Sequence, residues 1–415
     1  MSTKPFAALL ILLIVALLPM VCFSQGLEVT RQQADEVAFY YLRVAPPPEV
    51  PGGPNATFRQ AGDLRIAQGN RLVGYVYHIN PIGFFVISAD RRIEPLIAYS
   101  GVSDFDAWSD SPANCLLDVM LQDLSLRMDA AAVNQVPSQA ENLASWDWIA
   151  REVAHHGSPY ALASMAMNPS NYSGAGHIMK QPLDWHQGYP FNQETPHNFS
   201  DAKGSYQVGC VALAIAQVLA HHQYPSQTSF PPGHTFEING HAQTLPRSMP
   251  YRFSYPPSNA QRPSNDVCAR LCNAAALAVH MDYGLNDSGA YLSEAGRAFR
   301  NHFDFKTAIV RSLLEQCPGE TAKVVNHIEF GNLLNADVQD AGRPALLSMS
   351  GTHGTHAVVV DGHQTETRGG VKDVDRYGLR MGKVNETASL WYMLPIEYSV
   401  DFNNVCAGAF KIQSK

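Results

Sequence analysis

One segment constrains the fold of this chain more than any other: "QVGCVALAIAQVLAHHQYP", residues 207–225. From Val211 to Ala220 every residue except Gln217 is apolar, and such a run predicts a buried helix. Cys210 stands at the head of this run, directly after a glycine. A helix that begins there directs unpaired N–H groups and its positive dipole end at the sulfur, which lowers a thiol pKa. The segment alone leaves two interpretations open, a nucleophilic thiolate and a buried core cysteine.

Length and composition set the class of protein. A chain of 415 residues is longer than one ordinary core requires and suggests two globular units. Apolar residues make up 46% and charged residues 16%, which is a globular composition. The net charge of -8 comes without a basic run, so the sequence has no footprint for nucleic acid.

The first 24 residues have the pattern of an export signal. Lys4 is followed by an apolar stretch from Phe6 to Val21 and by small residues near Ser24. This predicts a secretory signal over 1–24. The protein is expected to be secreted or periplasmic, with no membrane association after the signal is removed. A retained membrane anchor is the alternative, although the stretch is barely long enough to span and no basic cluster follows it.

The remaining chain divides into two units and a connection. Over 25–154, the amphipathic "GLEVTRQQADEVAFYYLRV" and the hairpin "LVGYVYHI–NPIG–FFVISAD" predict a small α+β unit. Residues 155–180 are poor in charge and rich in turn residues, which predicts an exposed processing linker. Residues 181–415 place the cysteine helix before the strands "ALLSM" and "HAVVVDG", which predicts a second α+β domain.

A nucleophilic cysteine needs a base, and His356 is the best placed candidate. It begins the strand "HAVVVDG" after the flexible "SGTHGT", so a rigid element would hold it with its start facing a cleft. His353 and His363 lie close by and compete on composition alone. The three histidines also raise a metal-dependent hydrolase as an alternative, but they lack the glutamate of the usual helical zinc motif. We therefore expect neither a metal nor another cofactor.

The oxyanion of an acyl-transfer reaction needs hydrogen-bond donors. Gln187, in "WHQGYPFN", offers a side-chain amide, and the backbone N–H of Cys210 offers a second donor. Taken by itself, Gln187 is better explained as a solvated loop residue.

The other cysteines show no catalytic pattern. Cys268 and Cys272 lie four residues apart on a predicted helix, where they are expected to be small core residues with poor geometry for a bridge. Cys115, Cys317 and Cys406 carry no local motif.

These motifs together carry a family resemblance. "WHQGYPFN", "QVGCVALAIAQVLAHHQYP", "MDYGLNDSGAYLSEAGRAFRNHF" and "AGRPALLSMSGTHGTHAVVVDG" resemble, in order and spacing, the streptopain-like cysteine peptidases of papain-related fold. The segment "GYVYHINPIGFFVISADRRIEPLIAYS" resembles that family's inhibitory pro-domain. The resemblance implies an α+β fold, in which a cysteine-bearing helix packs on an antiparallel sheet, behind a small α+β pro-domain.

The resemblance also implies roles and partners. Cys210 would be the nucleophile, His356 the general base and acid, and Gln187 the oxyanion donor. The substrates would be proteins or peptides, and the pro-domain at 25–154 would be an intramolecular inhibitor. The expected function is that of a secreted zymogen of a cysteine endopeptidase.

One block departs from the family pattern. The family carries an asparagine that orients the catalytic imidazole, followed by tryptophans, where this chain has "YGLRMGKVN". Arg380 takes the asparagine position, and Met381 and Lys383 take tryptophan positions, while Asn385 would serve only in a shifted loop. Because a guanidinium has no acceptor for an imidazole N–H, reduced activity is expected, and an inactive homologue that binds peptides or a partner is the alternative.

Overall fold

The computed structural model describes most of the chain after the predicted signal. The described residues are 26–52, 55–104, 106–108, 114–155, 172–197, 204–284, 287–313, 322–368, 372–382 and 389–415. The predicted signal at 1–24 lies outside them, as do Cys317, Lys383 and Asn385.

Seven α-helices occur in the described residues. They are α1 (Arg31–Phe39), α2 (Cys115–Ala132), α3 (Gln139–His155), α4 (Cys210–His222), α5 (Asn265–Ala278), α6 (Ala295–Arg297) and α7 (His327–Asn335). Wider π turns extend three of them, over Tyr40–Val44, Ala298–His302 and Ala336–Asp340, and short 3₁₀ turns cover Gln68–Asn70, Leu292–Glu294, Pro395–Glu397 and Val400–Phe402.

Eighteen strands occur in the same residues. The first nine are β1 (Phe58–Ile66), β2 (Arg71–Ile79), β3 (Phe84–Ser88), β4 (Leu96–Ser100), β5 (Tyr172–His177), β6 (Gln227–Phe230), β7 (Thr235–Ile238), β8 (His241–Thr244) and β9 (Met249–Arg252). The others are β10 (Asp282–Tyr283), β11 (Ser288–Gly289), β12 (Thr307–Ser312), β13 (Lys323–Val324), β14 (Ala345–Ser350), β15 (Thr355–Arg368), β16 (Lys372–Arg380), β17 (Ser389–Tyr392) and β18 (Val405–Gln413).

Side-chain caps fix the starts of the N-terminal helices. Thr30 and Gln33 form a reciprocal capping box at α1, which satisfies two backbone donors that the helix leaves unpaired. At α2 the side chain of Asn114 accepts a hydrogen bond from Leu117 N at 3.2 Å. Cys115 is therefore fixed as the first residue of an 18-residue helix.

A single large sheet runs through both halves of the chain. Its order is β1-β2-β3-β4-β17-β16-β15-β14-β18-β12-β13, and β5 pairs with β15 beside this path. The two halves meet where β4 pairs antiparallel with β17, with Tyr99 opposite Trp391 and Ala98 opposite Tyr392. The N-terminal hairpin thereby extends the sheet of the C-terminal domain.

Three apolar clusters form the core. One lies around α4 and α5 on one side of β14, β15 and β18. A second lies on the other side of these strands and includes α2 and α7. A third joins α1 and α3 to β2, β3 and β4. The fold is α+β, and the predicted architecture, a cysteine-bearing helix packed on an antiparallel sheet, is confirmed.

Local predictions compare well with these elements. The predicted hairpin is formed by β2 and β3, and the predicted helix at 207–225 is formed by Cys210–His222. Of the linker predicted at 155–180, residues 156–171 lie outside the described residues, whereas Tyr172–His177 forms β5 against β15. The domain boundaries 25–154 and 181–415 remain predictions.

Candidate active site

The N-terminus of α4 depends on a glycine. Gly209 has a φ of 86° and a ψ of 136°, a region that L side chains rarely adopt. A Cβ on this residue would lie 2.5 Å from Met281 Cε and 3.0 Å from Ser288 O, well inside normal contact distance. Only glycine therefore lets the chain turn and place Cys210 at the first helical position.

Cys210 and His356 are brought together, as the sequence predicts. The His356 side chain and the backbone N–H of Ala357 are both near enough to the Cys210 sulfur to favour its anionic form. Burial opposes ionisation of the thiol, but these two neighbours outweigh it and lower the pKa of Cys210. The arrangement favours a thiolate beside an imidazolium.

A backbone carbonyl orients the imidazole. His356 Nε2 lies 2.8 Å from Met381 O, and because a carbonyl only accepts, this nitrogen carries the proton and donates. The other nitrogen, Nδ1, is then left for the sulfur. The acceptor expected from an asparagine side chain is thus supplied by the main chain one residue after Arg380.

Arg380 does not orient the imidazole. It forms an ion pair and hydrogen bonds with buried groups elsewhere. Its Nε donates to Asp361 Oδ2 at 2.6 Å, and its Nη atoms donate to the carbonyls of Gln181, at 3.1 Å, and of Met179. His177 Nδ1 binds the other carboxylate oxygen of Asp361 at 2.8 Å. Although burial opposes ionisation, His177 and Arg380 together hold the pKa of Asp361 below its usual range. The guanidinium therefore shares the buried Asp361 carboxylate with His177.

A main-chain hydrogen bond holds Gln187 near the segment that leads into Cys210. Its carbonyl accepts a hydrogen bond from Val208 N at 3.0 Å, two residues before Cys210. Its side chain is 1% exposed, and Oε1 has no hydrogen-bond partner among the described residues. The free atom is an acceptor, whereas the oxyanion role predicted for Gln187 requires its Nε2–H groups as donors.

An open cleft leads to the sulfur. It has a volume of about 580 Å³, and its lining includes Cys210, Ala357 and Ser348. Four carboxylates also line it: Glu237, Asp282, Asp287 and Glu294, the last of which is paired with Arg297. Asp287 is near enough to raise the pKa of Cys210, which partly opposes the effect of His356. Small reagents can therefore reach the sulfur in the full-length chain.

Helix α2 of the N-terminal domain contacts the same site. Asp118 Oδ1 accepts hydrogen bonds from the backbone N–H groups of Thr352, at 2.9 Å, and His353, at 3.1 Å. These residues precede the strand that carries His356. One turn earlier, Cys115 is near enough to His356 to raise the pKa of the imidazole. The N-terminus of α2 thus contacts the loop before the His356 strand.

The charge of this imidazole follows from its neighbours. Burial disfavours the imidazolium, but Cys115 and then Cys210 outweigh burial and raise the pKa of His356 well above its usual value. His356 is 6% exposed, so solvent contributes little to its charge state.

A second contact joins the two halves at His177. Its Nε2 lies 3.6 Å from Glu49 Oε1 in the N-terminal half, while its Nδ1 binds Asp361. Burial lowers the pKa of His177, but the bonds to Asp361 and Glu49 dominate and raise it to about 9. At neutral pH the residue is a cation between two carboxylates.

The competing histidines do not take part. His353 is exposed and its Nδ1 lies 2.8 Å from Asp118 Oδ1. His363 is buried, with Nε2 at 3.3 Å from Asp375 Oδ1. Within the described ranges, no group of three His, Cys, Asp or Glu side chains is arranged to hold a metal ion.

Comparison with known proteins decides the family. Residues 185–411 match the model of the Peptidase C10 family, and residues 27–128 match the model of the Spi protease inhibitor. The first match covers more than half of the chain. The chain belongs to the Peptidase C10 family. The resemblance to streptopain-like peptidases with an N-terminal inhibitor-like domain is thereby confirmed.

Relatives of this Peptidase C10 protein include streptopain of Streptococcus pyogenes serotype M1, which is 24% identical over 73% of each chain. The thiol protease/hemagglutinin PrtT of Porphyromonas gingivalis is 25% identical over 85% of this chain and 38% of its own length. Among solved structures, prointerpain A of Prevotella intermedia has a TM-score of 0.55 at 20% identity, covering 86% of this chain and 99% of the other. This last likeness supports the fold.

Three features of the Peptidase C10 protein were not predicted. The Met381 carbonyl and the proximity of Cys115 to His356 depend on tertiary placement and leave no local signal. Cys406 is disulfide-bonded, although its sequence surroundings carry no motif. By contrast, Cys268 and Cys272 are free and buried, as expected for core residues. Across the described part of the chain, no helix is both long enough and apolar enough to cross a membrane.

Proposed function

We propose that this chain is the secreted zymogen of a cysteine endopeptidase that hydrolyses peptide bonds through a thioester. The observation that carries the proposal is the placement of Cys210 in an open cleft beside the strand that carries His356, whose side chain lowers the thiol pKa. Membership of the Peptidase C10 family supports it independently.

In the proposed reaction the Cys210 thiolate attacks the carbonyl carbon of a peptide. The oxyanion that forms is held by the Gln187 side-chain amide and by the backbone N–H of Cys210. His356 gives its Nδ1 proton to the leaving amine, while its Nε2–H remains on the Met381 carbonyl. His356 then removes a proton from water, which attacks the thioester and releases the acyl group as a carboxylic acid. The sulfur leaves as thiolate, so the thiolate–imidazolium pair is regenerated.

The N-terminal domain is proposed to keep this site inactive. Asp118 of α2 holds the loop in front of the His356 strand through hydrogen bonds to Thr352 and His353. The match of 27–128 to an inhibitor family supports this role. Export through the signal at 1–24 and cleavage within 155–180 belong to the same proposal.

Alkylation tests the nucleophile directly. Full-length protein is treated with iodoacetamide at about pH 6, where an ordinary thiol is almost wholly protonated. We expect rapid labelling of Cys210, whereas Cys268, whose pKa burial raises to about 11, stays unlabelled and serves as the internal control. His356→Ala should slow the labelling by about tenfold or more, because the thiolate loses its counter-charge.

Hydrolysis tests the function. Purified chain is incubated and then assayed with a fluorogenic peptide, beside Cys210→Ala material. Self-cleavage and peptide hydrolysis in the first sample alone are the expected result. Rapid labelling of Cys210 without hydrolysis, after removal of the N-terminal domain, would replace this proposal with the inactive, peptide-binding homologue.

A further inference from the structure

The cleft that leads to the nucleophile carries an excess of negative charge. Only one guanidinium, that of Arg297, occurs in the described part of its lining, and no lysine does. This guanidinium is paired with Glu294, three residues earlier in the chain. The remaining carboxylates of the lining belong to Glu237, Asp282 and Asp287. A molecule that enters the cleft therefore meets three carboxylates that Arg297 does not neutralise.

Two of these carboxylates lie side by side. The parallel strands β7 and β10 place Glu237 directly opposite Asp282, and both residues line the cleft. Neighbouring strands lie only about 4.8 Å apart, so the two like charges repel each other. Asp282 Oδ1 accepts a hydrogen bond from Gly240 N at 3.0 Å. Neither carboxylate forms an ion pair with a described residue, so the pair costs the fold energy that a bound cation would offset.

The third carboxylate lies near the sulfur. Asp287 is close enough to Cys210 to raise the pKa of the thiol. This effect opposes formation of the thiolate, so activation of the nucleophile does not explain the residue. The charge of Asp287 instead faces whatever part of a substrate lies beside the bond to be cut.

Two neutral groups of the cleft suit a long cationic side chain. Tyr291 lines it with 54% of its surface exposed, and a tyrosine ring attracts an ammonium or guanidinium group. Ser348 lines it too, although the residue is only 3% exposed. Its hydroxyl has no hydrogen-bond partner among the described residues and can accept a bond from an N–H donor. Both groups complement the carboxylates.

We propose that this cleft gives the peptidase a preference for substrates with a lysine or arginine side chain beside the bond that is cut. The inference rests on the proposed peptidase function and names its substrate class. Glu237, Asp282 and Asp287 would attract the cation, because a cleft lined by one sign of charge concentrates the opposite charge. Tyr291 and Ser348 would contact the side chain that carries it.

Charged thiol reagents test the cleft in the full-length chain without any need for hydrolysis. Cys210 is labelled with methanethiosulfonates that carry a trimethylammonium group, a sulfonate group or no charge, and its rate is followed by peptide mapping. Each rate is divided by that of 2-mercaptoethanol, which removes the intrinsic reactivity of the reagent. We expect the cationic reagent to label Cys210 about tenfold or more faster than the anionic one at low salt. In about 1 M salt the ratio should approach one.

Variants assign the effect to the paired carboxylates. Glu237→Gln with Asp282→Asn keeps the size of both side chains and removes both charges, so the ratio should fall by about threefold or more. The uncharged reagent should label this variant at the unmodified rate, which shows that the thiol and the fold are intact. Glu329→Gln removes an exposed carboxylate outside the cleft and should leave the ratio unchanged. Should the double variant fail to fold, as judged by circular dichroism, the single substitutions replace it. A ratio near one in the unmodified chain, or one that these substitutions do not lower, overturns the inference.

Peptide hydrolysis separates this inference from the proposed function. The self-processed chain is incubated with a mixture of peptides of varied sequence, and the cut bonds are identified by mass spectrometry. We expect lysine or arginine to be enriched about tenfold over glutamine at one fixed position beside the cut bond, and less so in the double variant. Cleavage without this enrichment overturns the substrate preference and leaves the peptidase function standing. Absence of any cleavage overturns the peptidase function itself, and the preference with it.

Discussion

The contact at His177 predicts how stability depends on pH. His177 lies between Asp361, at 2.8 Å, and Glu49, at 3.6 Å, and its pKa is raised from 6.5 to about 9. A raised pKa means that the folded chain binds the proton more tightly than the unfolded chain. The stabilisation is therefore fully present below the unfolded pKa of 6.5 and is lost as pH rises through about 9.

The magnitude follows from the shift. The difference between 6.5 and about 9 corresponds to roughly 3 kcal/mol at 1.36 kcal/mol per pKa unit. His177→Gln keeps a side chain that can donate hydrogen bonds but cannot titrate in this range. The variant should therefore lack this part of the pH dependence.

Urea denaturation provides the assay. Both chains carry Cys210→Ala to prevent self-cleavage, and unfolding is followed by tryptophan fluorescence from about pH 6 to about pH 10. We expect the chain with His177 to lose roughly 3 kcal/mol more across this range than the His177→Gln chain. Glu49→Gln should remove only part of the difference, because Asp361 remains. Parallel pH profiles with and without His177 would refute the reasoning.

Three further predictions concern single substitutions. Gly209→Ala should destabilise the chain in thermal denaturation by about 1–3 kcal/mol more than Gly233→Ala. Both glycines have a positive φ, but of the two only Gly209 has neighbours within 4 Å of the added methyl group. Arg380→Asn should destabilise the chain in the same assay by less than the roughly 3–5 kcal/mol of an unpaired buried charge, because the His177 cation still balances Asp361. The substitution should not raise peptide hydrolysis, and faster hydrolysis would restore the orienting interpretation. Asp118→Ala should speed self-processing on a gel time course by about tenfold or more. The substitution removes the charged hydrogen bonds that hold α2 at the site, each worth about 1.5–3 kcal/mol. Unchanged kinetics would exclude an inhibitory role of Asp118.

The elements around the site were largely predictable from the sequence. The apolar run after Cys210 and the strand that begins at His356 each carry a local pattern, and both elements lie where the pattern placed them. Local periodicity reports burial and secondary structure, and for that reason it succeeded here.

Contacts that depend on tertiary placement were not predictable. Every residue has a carbonyl, so nothing in the sequence marks that of Met381 as the partner of His356. The sequence places Arg380 at the position of an orienting asparagine, but its partner Asp361 lies on the neighbouring strand, and the pairing is visible only in three dimensions. Cys115 lies far from both catalytic candidates in sequence, so its proximity to the imidazole carried no signal either.

The pairing of β4 with β17 has a consequence for the protein after maturation. Cutting the connection between the domains leaves the main-chain bonds of this pair intact, together with the stacked rings of Tyr99 and Trp391. Once the N-terminal domain departs, Ser389–Tyr392 becomes an open sheet edge with unpaired N–H and C=O groups beside a newly exposed tryptophan. Such edges attract other strands, and we expect the C-terminal domain, once cut as proposed, to self-associate at concentrations at which the full-length chain stays dispersed. The N-terminal domain would in this way preserve solubility until the chain reaches the place where it is cut.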